Sequence, residues 1–199
     1  MSASLILASQ SFSRRAMLDA AGVGYVAQPA HVDEGAVKQA LLDQGRPPRA
    51  VADALAELKA LKISTVDPAA LVIGSDSVVS VDGRLFDKPV SRENAADHLR
   101  AFSGKTMVLT SAVVLAKGGQ PIWRHIGEAK LEVWPLSEAF IATYLDAEWP
   151  AISGCVGCFR IEGPGVQLFS ALHGDYFTIL GMPLLPLLGQ LRLLGYVPA

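Results

Sequence analysis

Residues 106–116 and 122–134 are two long extended-looking runs joined at Lys117-Gly118-Gly119. Runs of this length around a glycine-rich break predict two long strands joined as a hairpin. They commit the chain to a β-sheet, and the rest of the sequence has to supply its partners. Residues 5–8 read as a short apolar strand, residues 25–28 as another, and residues 71–73 as a buried one running into Gly74-Ser75-Asp76-Ser77. Residues 78–81 continue extended, Asp82-Gly83 makes a tight turn, and residues 84–86 return.

Helices alternate with these strands. Ser9-Gln10-Ser11 ends the first strand and leads into a helix whose first turn carries Arg14 and Arg15, with Ser11 or Ser13 as the cap. Residues 31–34 read as a polar loop, and Gly45-Arg46-Pro47-Pro48 punctuates the chain. Over residues 49–63, Val51, Leu55, Leu58 and Ile63 follow a helical period, which puts Lys59 and Lys62 on or near the edge of the apolar face. Ser91 caps a helix through about Phe102, Ser137 another to about Ala147, and Pro183 opens the last. Strands mixed with helices and at least one antiparallel hairpin predict an α/β fold with a mixed sheet, as a single domain over residues 1–199.

Composition narrows the function. Of 199 residues, 51% are hydrophobic and 18% charged, enough for a large core and inconsistent with disorder. A net charge of −2 offers no general attraction to nucleic acid or anionic lipid, so a polyanionic ligand must meet a local basic cluster. No basic segment followed by an apolar one opens the chain, and the longest apolar tract, residues 182–188, holds two prolines and is too short for a bilayer. A cytoplasmic protein without membrane or nucleic-acid partners is expected. Cys155 and Cys158 form a lone CxxC with no histidine at ligand spacing, which argues for coincidence over a metal or redox site.

The arginines at the first helix are the first chemical signal. A helix N-terminus is already electropositive, so cations there cost stability unless an anion uses both. Local physics leaves two readings open: a phosphate cradle, or an ordinary cap with solvated arginines. Asp76, expected just past an apolar strand, could serve as a base or bind a metal; Glu34 offers a second hard oxygen ligand, and Lys59 and Lys88 offer positive charge. Each has a mundane reading alone. Together they match hydrolysis of a phosphoanhydride, and the absence of a Walker loop excludes a P-loop enzyme.

Ordered blocks along the chain resemble the Maf family of nucleoside triphosphate pyrophosphatases. They are Leu7-Ala8-Ser9-Gln10-Ser11 with Arg14, Val32-Asp33-Glu34, Lys59-Ala60, Gly74-Ser75-Asp76, Asp82-Gly83, Lys88-Pro89 and Phe102-Ser103-Gly104-Lys105-Thr106. Gly157-Cys158-Phe159-Arg160-Ile161-Glu162-Gly163, Gly174-Asp175-Tyr176 and Leu180-Gly181-Met182-Pro183-Leu184 complete the order. The resemblance implies an ITPase-like fold, an elongated twisted mixed sheet with two lobes and a cleft between them. It also implies cleavage between the α- and β-phosphates with a divalent cation, Mg²⁺ or Mn²⁺. On the matching positions Asp76 would accept the proton of water. Ser9, Ser11, Arg14, Lys59 and Lys88 would contact the substrate, and Glu34 with Asp76 would hold the metal. A homodimer is compatible with the resemblance, though no residue pattern argues for it.

Three positions bear on the base. The dTTP/UTP-cleaving branch has Ser-Pro-Arg-Arg where this chain has Ser11-Phe12-Ser13-Arg14, Asp-Thr where it has Asp76-Ser77 and Ile-Gln-Gly where it has Ile161-Glu162-Gly163, so that Phe12, Ser77 and Glu162 differ. The 7-methyl-GTP branch has an aromatic and a Glu at the first and last of these, as here. An aromatic ring stacks on a cationic purine and a carboxylate accepts from guanine N–H groups. Ser77 departs from both branches, the second usually having Gln. A 7-methyl-GTP-like substrate is therefore expected ahead of dTTP or UTP. The reading from another class is a nucleotide-binding regulator of septum formation with little turnover.

Overall fold

The computed structural model describes residues 4–198. Among them seven strands share one mixed sheet, with helices against it. The elements are β1 (Leu5–Leu7), α1 (Phe12–Ala20), β2 (Val26–Ala27), α2 (Glu34–Asp43), α3 (Pro48–Val66), β3 (Leu71–Val81) and β4 (Arg84–Phe86). They continue with α4 (Arg92–Phe102), β5 (Thr106–Lys117), β6 (Gln120–Val133), α5 (Glu138–Glu148), β7 (Phe169–His173), α6 (Tyr176–Ile179) and α7 (Leu184–Leu193). The hydrogen-bonded order is β2-β1-β3-β5-β6-β7, with β4 paired to β3. The expected α/β class and the long β5–β6 hairpin are found as read. No helix among the described residues is long and apolar enough to cross a membrane.

The chain divides into two compact units. The first comprises the chain up to Ser77, Thr110–Gly127, and the chain from Tyr176 onward. Its strands β1, β2 and β3 are parallel, with Leu7 opposite Ala27 on one side and Ile73 on the other. Parallel strands covered on both faces read as unbroken apolar runs, and Leu5, Leu7, Leu71 and Ile73 are buried together with Leu18, Leu115 and Leu187. The second unit comprises Val78–Leu109 and Glu128–Asp175. Its β3–β4 hairpin turns on Asp82 and Gly83, both at positive φ (51° and 77°), the conformation that a two-residue turn matching strand twist requires. Phe86 packs edge-on against Phe102 at 4.7 Å, under a helix capped by Ser91 as expected.

Three local expectations change. The polar loop ends at Asp33, whose carboxylate accepts from the Ala36 N–H and caps a helix, α2, that the sequence reading missed. That helix buries no residue, so no apolar stripe announced it. Asp76 lies inside a continuous strand rather than past its end, because pairing and burial on both sides carry β3 through Gly74-Ser75-Asp76-Ser77. Lys59 is in the middle of the buried stripe of α3, between Ala56 and Ile63, not at its edge.

Candidate active site

The site of the first unit begins with a missing side chain. A Cβ placed on Gly74 would lie 2.2 Å from the Ala56 carbonyl oxygen and 2.6 Å from the Ala60 nitrogen, so α3 rests directly on the backbone of β3. That contact brings Lys59, one residue before Ala60, against Asp76, two residues beyond Gly74. The Lys59 Nζ donates to Asp76 Oδ1 at 2.5 Å and lies 2.8 Å from Glu34 Oε1. Lys59 and Asp76 are only 8% and 7% exposed. Charges that far from water persist only when paired, so the lysine on an otherwise apolar stripe is explained by the carboxylates it meets. Glu34 arrives from the first turn of α2, where the helix dipole favours a carboxylate.

Arg14 supplies the second cation. Ser11 is the cap of α1, its hydroxyl accepting from the Arg14 backbone N–H at 3.4 Å, and the Ser9 hydroxyl accepts from the Ser11 N–H at 3.2 Å. The Arg14 side chain is not solvated but 8% exposed, and all three of its nitrogens are engaged. Nε donates to the Gly181 carbonyl at 2.9 Å, one terminal nitrogen to Ser9 Oγ at 3.3 Å and the other to Ser77 Oγ at 3.1 Å. Burial lowers the Arg14 pKa, while the Asp76 and Glu34 carboxylates pull it back up.

Behind Arg14 stands a further set of hydroxyls, of which the sequence pointed only to Ser77. Ser75 and Ser77 also donate to the Gly181 carbonyl, at 3.2 and 3.1 Å. Ser77 and Ser111 hydroxyls are 2.8 Å apart, and Ser111 donates to the Thr178 carbonyl at 2.9 Å. Gly181 has φ +109°, a conformation that side chains resist. The available signal was a pair of buried hydroxyls, Thr110 and Ser111, inside an otherwise apolar strand.

Of the residues expected from sequence, the first unit brings together Ser9, Ser11, Arg14, Glu34, Lys59, Asp76 and Ser77. Phe12, the first residue of α1, is 81% exposed beside them in sequence. Lys88 and Glu162 belong to the second unit, both exposed. There the Cys155 thiol is pushed up by burial and by Glu162, with Arg160 and Lys88 acting oppositely, so Lys88 and Glu162 share one neighbourhood. Cys158 is buried, and burial together with Cys155 pushes its thiol up to about 12. Reactive thiols need the opposite shift, which supports reading the CxxC as incidental.

Two carboxylates and no third His, Cys, Asp or Glu group converge among the described residues. That donor set fits Mg²⁺ or Mn²⁺, which are commonly held by one or two carboxylates with water and substrate phosphate completing the shell. Two carboxylates, a buried lysine and a tethered arginine suit chemistry on a polyphosphate.

The comparisons agree with that class. The Maf family model, described as Maf-like protein, matches residues 4–194, and the chain belongs to this family. It is 53% identical over 195 residues to a nucleoside triphosphate pyrophosphatase of Sphingopyxis alaskensis, covering 98% of each chain. It is 48% identical over 197 residues to a 7-methyl-GTP pyrophosphatase of Rhizobium etli, covering 99% of each.

Proposed function

We propose that this protein hydrolyses the α–β phosphoanhydride of nucleoside triphosphates, releasing the monophosphate and pyrophosphate with a divalent cation, Mg²⁺ or Mn²⁺. The observation that carries the reading is the meeting of Lys59 with Asp76 and Glu34, 2.5 and 2.8 Å away, beside a buried Arg14, in a chain of this family. Asp76 takes the proton of the water that attacks the α-phosphorus. The bond from that phosphorus to the bridging oxygen breaks, and pyrophosphate leaves with the electron pair. Lys59 and Arg14 offset the negative charge of the phosphates, with Ser9 and Ser11 donating hydrogen bonds. A cation held by Glu34 and Asp76 supplies Lewis-acid neutralisation of phosphate charge.

The tether from Arg14 to Gly181 has a functional sense. A guanidinium fixed through Nε keeps its remaining N–H bonds in one orientation, so little freedom is lost when a phosphate arrives. For the base we favour a modified purine such as 7-methyl-GTP over dTTP or UTP. The exposed ring of Phe12 offers a stacking face for a cationic purine.

The test is pyrophosphate release from dTTP, UTP, CTP, GTP and 7-methyl-GTP with Mg²⁺ or Mn²⁺, beside Asp76→Asn. Turnover highest on 7-methyl-GTP and reduced about 10²- to 10⁴-fold in the variant, with nucleotide still bound, is expected. Turnover of dTTP or UTP instead sinks the choice of base. Tight binding without turnover sinks the enzyme and favours a nucleotide-binding regulator.

A further inference from the structure

Lys59 carries a contradiction that the proposed reaction has to resolve. The two carboxylates assigned to the cation are both occupied by an ammonium group, at 2.5 Å on Asp76 Oδ1 and 2.8 Å on Glu34 Oε1. A divalent ion bound through those oxygens and the Lys59 ammonium would compete for the same place. The site is nonetheless balanced as it stands. Lys59 and Arg14 contribute two positive charges, and Asp76 and Glu34 two negative ones, with Lys59, Arg14 and Asp76 largely buried.

Adding a divalent ion alone would displace Lys59 from its partners and leave two excess positive charges in a poorly solvated place. Burying unpaired charge is among the costliest changes a protein can undergo. A metal–triphosphate complex removes the difficulty, because it is net anionic and its phosphate oxygens are new partners for the displaced ammonium. The four-carbon stem of lysine allows that exchange by side-chain rotation alone. The backbone of α3 need not move, and its contact with Gly74 leaves it no room to approach.

We propose that Lys59 is the resident cation of the metal site, holding Asp76 and Glu34 together in the free protein and surrendering them when a nucleotide triphosphate draws its ammonium onto the phosphates. This rests on the function proposed above and adds a binding order: metal and triphosphate enter together, and the free protein holds metal weakly. Lys59 thereby acts in two positions, on the carboxylates before binding and on the phosphates after it. Linkage then requires reciprocity, with nucleotide tightening the metal by the factor by which metal tightens nucleotide.

The experiment reads Mn²⁺ directly, through the spin-resonance signal of the free aquo ion, without turnover. Wild type, Lys59→Met and Lys59→Met with Glu34→Gln are titrated without nucleotide, with circular dichroism checking the fold. Methionine retains the length and apolar stem suited to the buried stripe of α3. The single variant is expected to bind Mn²⁺ at least about tenfold more tightly than wild type, equivalent to about 1.4 kcal/mol. The second substitution should undo that gain. Equal Mn²⁺ affinity in wild type and a folded Lys59→Met variant overturns the proposal. Should the variant not fold, wild type decides alone: a Kd below about 10 µM without nucleotide overturns the placeholder role, and a weaker one supports it. Failure of the proposed function is distinguishable, since it shows as absent pyrophosphate release and leaves these titrations readable.

Discussion

Gly74→Ala tests the contact on which the site is built. The added methyl carbon would sit 2.2 Å from the Ala56 carbonyl oxygen, 2.6 Å from the Ala60 nitrogen and 2.8 Å from the Ala60 Cβ. These are backbone atoms of a helix and its shortest side chain, so no rotamer change relieves the overlap. Real Cβ contacts do not fall below 3.0 Å, so α3 must withdraw from β3 by roughly 0.8 Å or more. Overpacking of this kind costs about 1–3 kcal/mol. For a chain of this length that lowers the melting temperature by about 2–12 °C. The larger effect is on chemistry. Lys59 precedes Ala60 and is carried away with it, which stretches the 2.5 Å contact to Asp76. A displacement near 1 Å among reacting groups costs about 10²-fold in rate. Thermal unfolding with pyrophosphate release on the same preparation separates the two effects. A variant with wild-type melting and wild-type turnover would refute the close approach of α3 to β3.

Three further outcomes are expected. Phe12→Pro, Ser13→Arg, Ser77→Thr and Glu162→Gln together should move the kcat/KM ratio from 7-methyl-GTP toward dTTP and UTP by about tenfold or more, and an unchanged ratio would show that these positions do not read the base. Burial next to Phe86 and Phe102, reinforced by Arg84, holds the His98 pKa below its ordinary 6.5 against the pull of Asp87 and Asp97. Below 6.5 the unfolded chain therefore binds more protons than the folded one, so stability is complete above that pH and falls as pH drops beneath it; His98→Phe should flatten that slope between pH 7.5 and 5.5, and parallel slopes would disprove it. Glu148, with a side chain 2% exposed, is held bidentately by Arg160 at 2.9 Å. Arg160→Met strands its carboxylate at a cost of about 3 kcal/mol, the low end for a buried pair because Arg160 is partly solvated, and Glu148→Met in the same chain should recover most of the lost melting temperature.

Most elements were legible because their signals are local. Ser91 and Ser137 cap the helices they precede, Asp82-Gly83 turns the hairpin, and Gly118-Gly119 separates β5 from β6. The helix α2 was not legible, since a surface helix with no buried residue has no stripe to read and Asp33 alone marked its start. Ser75 and Ser111 escaped notice for a different reason. Their hydroxyls matter through Gly181 and Thr178, more than sixty residues away, and no spacing rule spans that distance.

By itself the sequence determined a mixed α/β chain, the inventory of a phosphoanhydride hydrolase, and the family in which that inventory recurs in order. These follow from residue types and short spacings, which a linear chain displays directly. Tertiary structure alone decided that Arg14 is tethered instead of solvated, that Asp76 lies within a strand, and that Lys59 is buried between two carboxylates. Each of these depends on how closely segments distant in sequence approach, and that is set by the packing of α3 on a glycine of β3, a distance that no local pattern encodes.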